Sequence, residues 1–203
     1  MEREITCCFT GHRPDKLPWG TDERDPRCLA LKKSIARELE GLYLRGYRHF
    51  ISGIARGADL YFVEAALALR EKYPSLALAP GIPLSDAEAV LALKERRPDV
   101  LLECARPCES QADRWPAAER ARWRSALDAC DLETMVQHNY DRFCMHRRDR
   151  YMVDRSSVIL AAFDGTPGGT MYTLSYAMDQ GLDILLLDLN HPWQAAVRLE
   201  RKD

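Results

Sequence analysis

No stretch of this chain approaches the roughly twenty consecutive apolar residues that a membrane-spanning helix needs. The opening residues, Met1-Glu2-Arg3-Glu4-Ile5, lack the apolar core of a secretory signal. A cytoplasmic protein with no membrane partner is therefore expected. Neither sign of charge is in excess: 29 Lys and Arg against 31 Asp and Glu leave a net charge of −2. No global basic field exists to draw in a polyphosphate backbone, which argues against nucleic acid as a partner. The seven cysteines contain no C-x-x-C pair and their number is odd. Reduced thiols acting as small apolar side chains are expected, with Cys7, Cys8 and Cys104 inside strand-like runs. Cys144 and His146, with His138 upstream, are too sparse for a zinc site. The G-x-G-x-x-G fingerprint and the G-K-[ST] ending of a P-loop are also missing, so kinase or ATPase chemistry has no support.

What is present is an alternation of short apolar runs with amphipathic stretches. Strands are predicted at 5–10, 48–52, 76–79, 133–138, 158–163 and 184–189. Between them, Cys28, Leu31, Ile35, Leu39 and Leu42 recur at helical spacing up to Gly46, and Leu60, Val63 and Leu67 begin a second helix that ends near Tyr73-Pro74. Further helices are predicted at 117–130, at 142–154 and after Gly169, the last stopping at Gly181. Strand–helix alternation implies one α/β domain over residues 1–203, with a mainly parallel sheet covered on both faces.

One segment occurs twice. Residues 63–85 resemble residues 87–109: Glu64, Ala65, Leu67, Glu71, Pro74 and Pro83 return as Glu88, Ala89, Leu91, Glu95, Pro98 and Pro107. Two copies are too few for a solenoid, so a duplicated helix–strand unit is expected, with 76–79 and 100–104 as equivalent strands.

Ligands of open parallel sheets bind at the carboxyl ends of the strands. Three predicted strands end in unusual loops. The first carries Thr10, Gly11, His12 and Arg13; its arginine can grip a phosphate, or simply sit in an Arg-Pro surface turn. The second carries Ser52, Gly53, Arg56, Gly57 and Asp59; the aspartate fits either acceptance of a ribose hydroxyl or capping of its own helix. The third carries Asp164, Gly165, Gly168, Gly169 and Thr170, and runs into a helix whose first amides and positive dipole end favour an anion. The basic helix adds Arg147, Arg148 and Arg150, of which Arg150 can instead pair with Asp154 four residues on.

Taken together these motifs resemble the SLOG superfamily, and within it the YpsA-type bacterial proteins. The resemblance rests on Thr10-Gly11-His12-Arg13-Pro14, Ser52-Gly53 with Gly57-Ala58-Asp59, Gln111-Ala112-Asp113-Arg114-Trp115, Arg148 to Asp154, and Gly168-Gly169-Thr170. It implies a Rossmann-like three-layer domain and a nucleotide, NAD or ADP-ribose type of ligand in a sensing or regulatory role. No cofactor is required, and a homo-oligomer stays open. The alternatives it carries are a LOG-like nucleotide N-glycosidase and DprA-like single-stranded DNA binding. The LOG pattern P-G-G-x-G-T followed by glutamate is incomplete here: Pro167-Gly168-Gly169 is followed by Thr170-Met171-Tyr172-Thr173, and Asp59, Asp154 and Asp164 are the carboxylates left to substitute.

Overall fold

The computed structural model describes residues 2–73 and 100–199. Its elements run β1 (Thr6–Gly11), α1 (Pro26–Leu44), β2 (His49–Ser52), α2 (Ala58–Lys72), β3 (Leu101–Arg106), α3 (Ala117–Asp128), β4 (Leu132–Met135), α4 (Cys144–Asp154), β5 (Val158–Phe163), α5 (Gly169–Asp179), β6 (Asp183–Asp188) and β7 (Val197–Leu199).

Local chemistry explains the boundaries. At the start of α1 the Asp25 carboxylate accepts the Arg27 N–H at 2.8 Å and Pro26 takes the first turn, where its missing N–H costs nothing. Cys28, Leu31, Ile35, Leu39 and Leu42 form the buried stripe that the spacing predicts.

The sheet has the order β4-β3-β2-β1-β5-β6-β7, and every pairing is parallel except β6 with β7. The chain moves outward from β1 to β4, then returns to place β5 on the other side of β1. Strand residues alternate between two cores. Cys7, Phe9, Phe50, Leu102, Leu160 and Leu185 face α1, α2 and α3, while Cys8, Ile51, Ala105, Ile159 and Ile184 face α4 and α5. Helices change face where the direction of winding reverses, as a constant handedness of crossover requires. Phe62 of α2 stacks on Phe9 at 4.7 Å between ring centroids and meets Phe50 edge-on at 6.3 Å, locking α2 over the centre of the sheet.

The structure differs from the sequence reading at two places. The strand expected at 133–138 is confined to Leu132–Met135. A further strand, β7, follows the one expected to be last; it is short and wholly exposed, so burial leaves little pattern in its sequence. Of the repeated segments, the first helix corresponds to α2 and the second strand to β3, while the strand expected at 76–79 lies outside the described residues. Among the described residues, no helix is long and apolar enough to cross a membrane.

Candidate functional site

The reversal of strand order falls between β1 and β5, and there the carboxyl ends of both strands open into a cleft of about 320 Å³.

The first and second loops are zipped together beside it. The Ala58 N–H donates to the His12 carbonyl at 3.1 Å. Gly57 permits this approach: its φ is +86°, and a Cβ there would lie 2.7 Å from the same carbonyl oxygen.

His12 ties the first loop to the third. Its ring is 3 % exposed, with Nε2 2.6 Å from Asp164 Oδ1 and Nδ1 3.1 Å from Thr170 Oγ1. Asp164 also accepts the Thr166 amide at 2.8 Å and the Thr166 hydroxyl at 2.7 Å. Burial works to raise the Asp164 pKa, but the hydrogen bonds from His12 and Thr166 outweigh it and draw the group down to about 2. At α5 the first helical bond runs from the Tyr172 N–H to the Gly168 carbonyl, so the amides of Gly169, Thr170 and Met171 precede the ladder. Two exposed cations line the cleft: Lys16 stands at the α5 end, with Nζ anchored on the Pro167 carbonyl at 2.6 Å, while Arg13 reaches towards α4, its Nη2 3.9 Å from Met145 Sδ.

The floor is built by α4. Cys144, Arg148 and Met152 recur every four residues on its buried face, which carries the Arg148 guanidinium inward at 6 % exposure. It lies between two buried carboxylates: Nε is 2.8 Å from Asp149 Oδ1, and Nη1 is 3.8 Å from Asp59 Oδ2. Neither Nε nor Nη1 meets an acceptor in hydrogen-bond geometry. The guanidinium occupies the space a side chain at position 53 would take, since a Cβ on Gly53 would stand 1.2 Å from Nη1. Asp59 sits in the first turn of α2, whose N-cap is Gly57; its carboxylate accepts the Ala55 N–H at 3.1 Å, holding the second loop. Burial pushes the Asp59 pKa up to about 6, against the pull of Arg148 and of the Ala55 amide.

Of the residues singled out from sequence, Thr10, Gly11, His12, Arg13, Asp59, Arg148, Gly168, Gly169 and Thr170 line this cleft. Ser52 and Gly53 stand behind it; the Ser52 hydroxyl accepts the Ile54 amide at 3.1 Å, and the Gly53 carbonyl accepts from Gln111 Nε2 at 2.8 Å. Arg56 and Gly57 face a separate hollow of about 230 Å³, where Arg56 is bound to Glu119 at 2.7 Å. Asp164 supports the cleft through His12, and Gly165 is an exposed turn residue with φ +88°. Arg150 does not pair with Asp154: it donates to the Tyr172 hydroxyl at 2.8 Å, and Asp154 accepts from Tyr176.

Lys16, Met145, His146 and Asp149 also line the cleft; sequence reading did not propose them as ligand contacts, having weighed His146 only as a metal ligand. Asp149 and His146 carried a signal in their places, one beside and one two residues before an arginine on an otherwise apolar helix face. Lys16 carried none, because only the turn after Pro14 brings it to Pro167.

The cleft thus joins an anion-attracting end, made by Lys16 and the α5 amides, to a floor of alternating buried charge on the α4 side, where Arg13 also reaches. It has donors for phosphate oxygens and carboxylates for hydroxyl groups.

The chain is 25 % identical over 168 residues to the SPbeta prophage-derived protein YoqJ of Bacillus subtilis, covering 76 % of this chain and 84 % of that protein. It is 23 % identical over 172 residues to a UPF0398 protein of Bacillus velezensis, covering 83 % and 80 %. Among solved structures, DNA processing protein A of Streptococcus pneumoniae shares the fold, with a TM-score of 0.52 at 14 % identity. That match takes in 89 % of this chain but only 49 % of the other, so the chain spans about half the length of that protein. The YpsA family model, that of the YspA SLOG family, matches residues 7–87 and 79–184, two stretches that overlap in the repeated part of the sequence. Since these stretches take in most of its length, the chain belongs to the YspA SLOG family.

Proposed function

We propose that this protein binds a nucleotide or nucleotide-derived ligand in the cleft between β1 and β5 and acts as a sensor or regulatory protein. The observation that carries the reading is the cleft's lining: at the carboxyl ends of β1 and β5 it brings together the first turn of α5, the cations Arg13 and Lys16, and the buried Arg148 with Asp59 and Asp149. The first-turn amides of α5 with Arg13 and Lys16 suit phosphate oxygens, and Asp59 and Asp149 suit ribose hydroxyls.

The test is a thermal-shift panel of nucleoside monophosphates, NAD and ADP-ribose. A ligand present at a hundred times its Kd stabilises the folded state by about 2.7 kcal/mol. A broad panel with no stabilising member counts against the reading.

One observation favours a second reading, hydrolysis of a nucleotide N-glycosidic bond. Asp59 is a buried carboxyl on the cleft wall, and burial raises its pKa to about 6, the direction that a general acid working near neutrality needs. Chromatography of a nucleoside monophosphate after incubation separates the two. An intact nucleotide supports the binder, whereas free base and ribose phosphate support the hydrolase. The binder ranks first because no glutamate follows Gly169 in the LOG position.

A further inference from the structure

His146 is the exception among the five histidines. His12, His49, His138 and His191 each meet a carboxylate, at 2.6 to 2.9 Å. Among the described residues no carboxylate pairs with the His146 ring. Tyr172 of α5 lies flat against it instead, 4.1 Å between centroids and 25° between planes, and Phe143 stands tilted at 6.4 Å. We propose that the His146 ring, backed by Tyr172, is the platform on which the base of a nucleotide stacks in the cleft, so that the site selects a nucleoside phosphate over a bare sugar phosphate. This rests on the nucleotide-binding reading and adds to it the residue that selects for a base.

The platform is built before any ligand arrives. Tyr172 is clamped from α4 at two positions one helical turn apart: its ring faces His146, and its hydroxyl accepts from Arg150 Nε at 2.8 Å. A ring held in this way loses little freedom when a further ring joins it. His146 lines the cleft and Tyr172 does not, so Tyr172 covers one face and His146 gives the cleft the rest of its ring. Every nucleobase has a π-face that stacks on such a ring, and a sugar phosphate has none.

The place of His146 on α4 fits the order of groups in a nucleotide. It lies three residues before Asp149, a shared helix face with roughly 4.5 Å of rise between them. A carboxylate that accepts ribose hydroxyls and a ring that receives the base on that ribose have to be neighbours of this kind. Burial follows the same direction along the helix: Met152 and Asp149 are buried, whereas Met145 and His146 are half-buried. The outer part of the wall is thus left to the base. Met145 adds a thioether there, and its sulfur packs favourably at ring edges.

The experiment is calorimetric titration of the full chain with adenosine 5′-monophosphate and with ribose 5-phosphate, in the parent, His146→Leu and His146→Phe. Stacking of one base on an aromatic side chain accounts for about 5- to 150-fold in affinity, and the parent should prefer the nucleotide by a factor in that range. His146→Leu should bring the ratio down towards one by weakening the nucleotide and leaving ribose 5-phosphate unchanged. His146→Phe keeps a flat ring and should restore the ratio. In proton NMR of the parent, the His146 ring signals should move upfield with the nucleotide and stay in place with ribose 5-phosphate. A parent that binds both probes equally overturns the platform and leaves the nucleotide reading intact. A ratio unchanged in His146→Leu, with both affinities falling together, assigns the stack to docking of α4 on α5 and also overturns it. A ratio lost in His146→Phe as well assigns the preference to the ring nitrogens and overturns stacking. Failure of the nucleotide to bind overturns the inference; the nucleotide reading falls with it only if NAD and ADP-ribose also leave Tm unmoved.

Discussion

Replacing Gly53 with alanine adds a single carbon, and its effect follows from what that carbon meets. The added Cβ would lie 1.2 Å from Arg148 Nη1 and 2.3 Å from Cζ, inside the guanidinium itself. Gly53 is not among the positive-φ residues, so the backbone accepts alanine and the conflict is purely steric. Arg148 must move to make room, and in moving it gives up its place between two carboxylates, Asp149 at 2.8 Å from Nε and Asp59 at 3.8 Å from Nη1. Overpacking of this kind costs about 1–3 kcal/mol, which for a chain of this size lowers Tm by about 2–12 °C. The sharper measurement is a double-mutant cycle by urea denaturation. In an Arg148→Ala background the collision is gone, so Gly53→Ala should cost almost nothing, leaving a coupling energy of about 1–3 kcal/mol between the two sites. Ligand affinity should fall in Gly53→Ala as well, since the guanidinium is pushed from between Asp149 and Asp59 into the cleft. A Gly53→Ala protein as stable as the parent, or a cycle with no coupling, would refute the placement of Arg148 on which the binding proposal stands.

Gly57→Ala meets both an unfavourable φ of +86° and the His12 carbonyl at 2.7 Å, so it should destabilise by more than about 1 kcal/mol and weaken ligand binding, as read by denaturation and titration. Asp59 gives a pH signature with a definite sign. The unfolded carboxyl ionises near pH 4 and the folded one near 6, so the folded state binds more protons in between, and stability falls as pH rises through that window by about 3 kcal/mol. Asp59→Asn should abolish this fall; denaturation curves of variant and parent that stay parallel from pH 4 to 7 would contradict it. Glu103 is wholly buried with Oε2 2.8 Å from His49 Nε2, and its Oε1 accepts from Thr134 at 2.7 Å and Tyr151 at 2.6 Å. Glu103→Ala should therefore lower stability by about 3–5 kcal/mol, measured in urea, without contact to the cleft. Arg13→Ala removes an exposed cation from the cleft wall, and is expected to cost about 1.5–3 kcal/mol of ligand affinity while leaving Tm of the free protein within about 2 °C.

The α/β class, the parallel sheet and the position of nearly every element were legible in the sequence, because strands buried on both faces read as continuous apolar runs and helices as stripes of spacing three and four. The run at 158–163 became β5 with the same limits. The three glycine loops were legible for the same local reason: backbone turns and close approaches select glycine whatever the rest of the chain does. Tertiary structure alone decided which of those residues share a cleft. Strand order placed β1 beside β5 and set β2 on the far side, so the third loop meets the first directly while Ser52 and Gly53 back the wall. It also decided roles. His12 could be read as a contact residue, but its two ring nitrogens are taken up by Asp164, 152 positions away, and Thr170, 158 positions away. Arg148 was one of several arginines on α4 until the packing of Cys144 and Met152 turned its face inward and Gly53 made room for it. Such pairings depend on distance in space between residues far apart in sequence, and periodicity within one element carries no information about the partner on another.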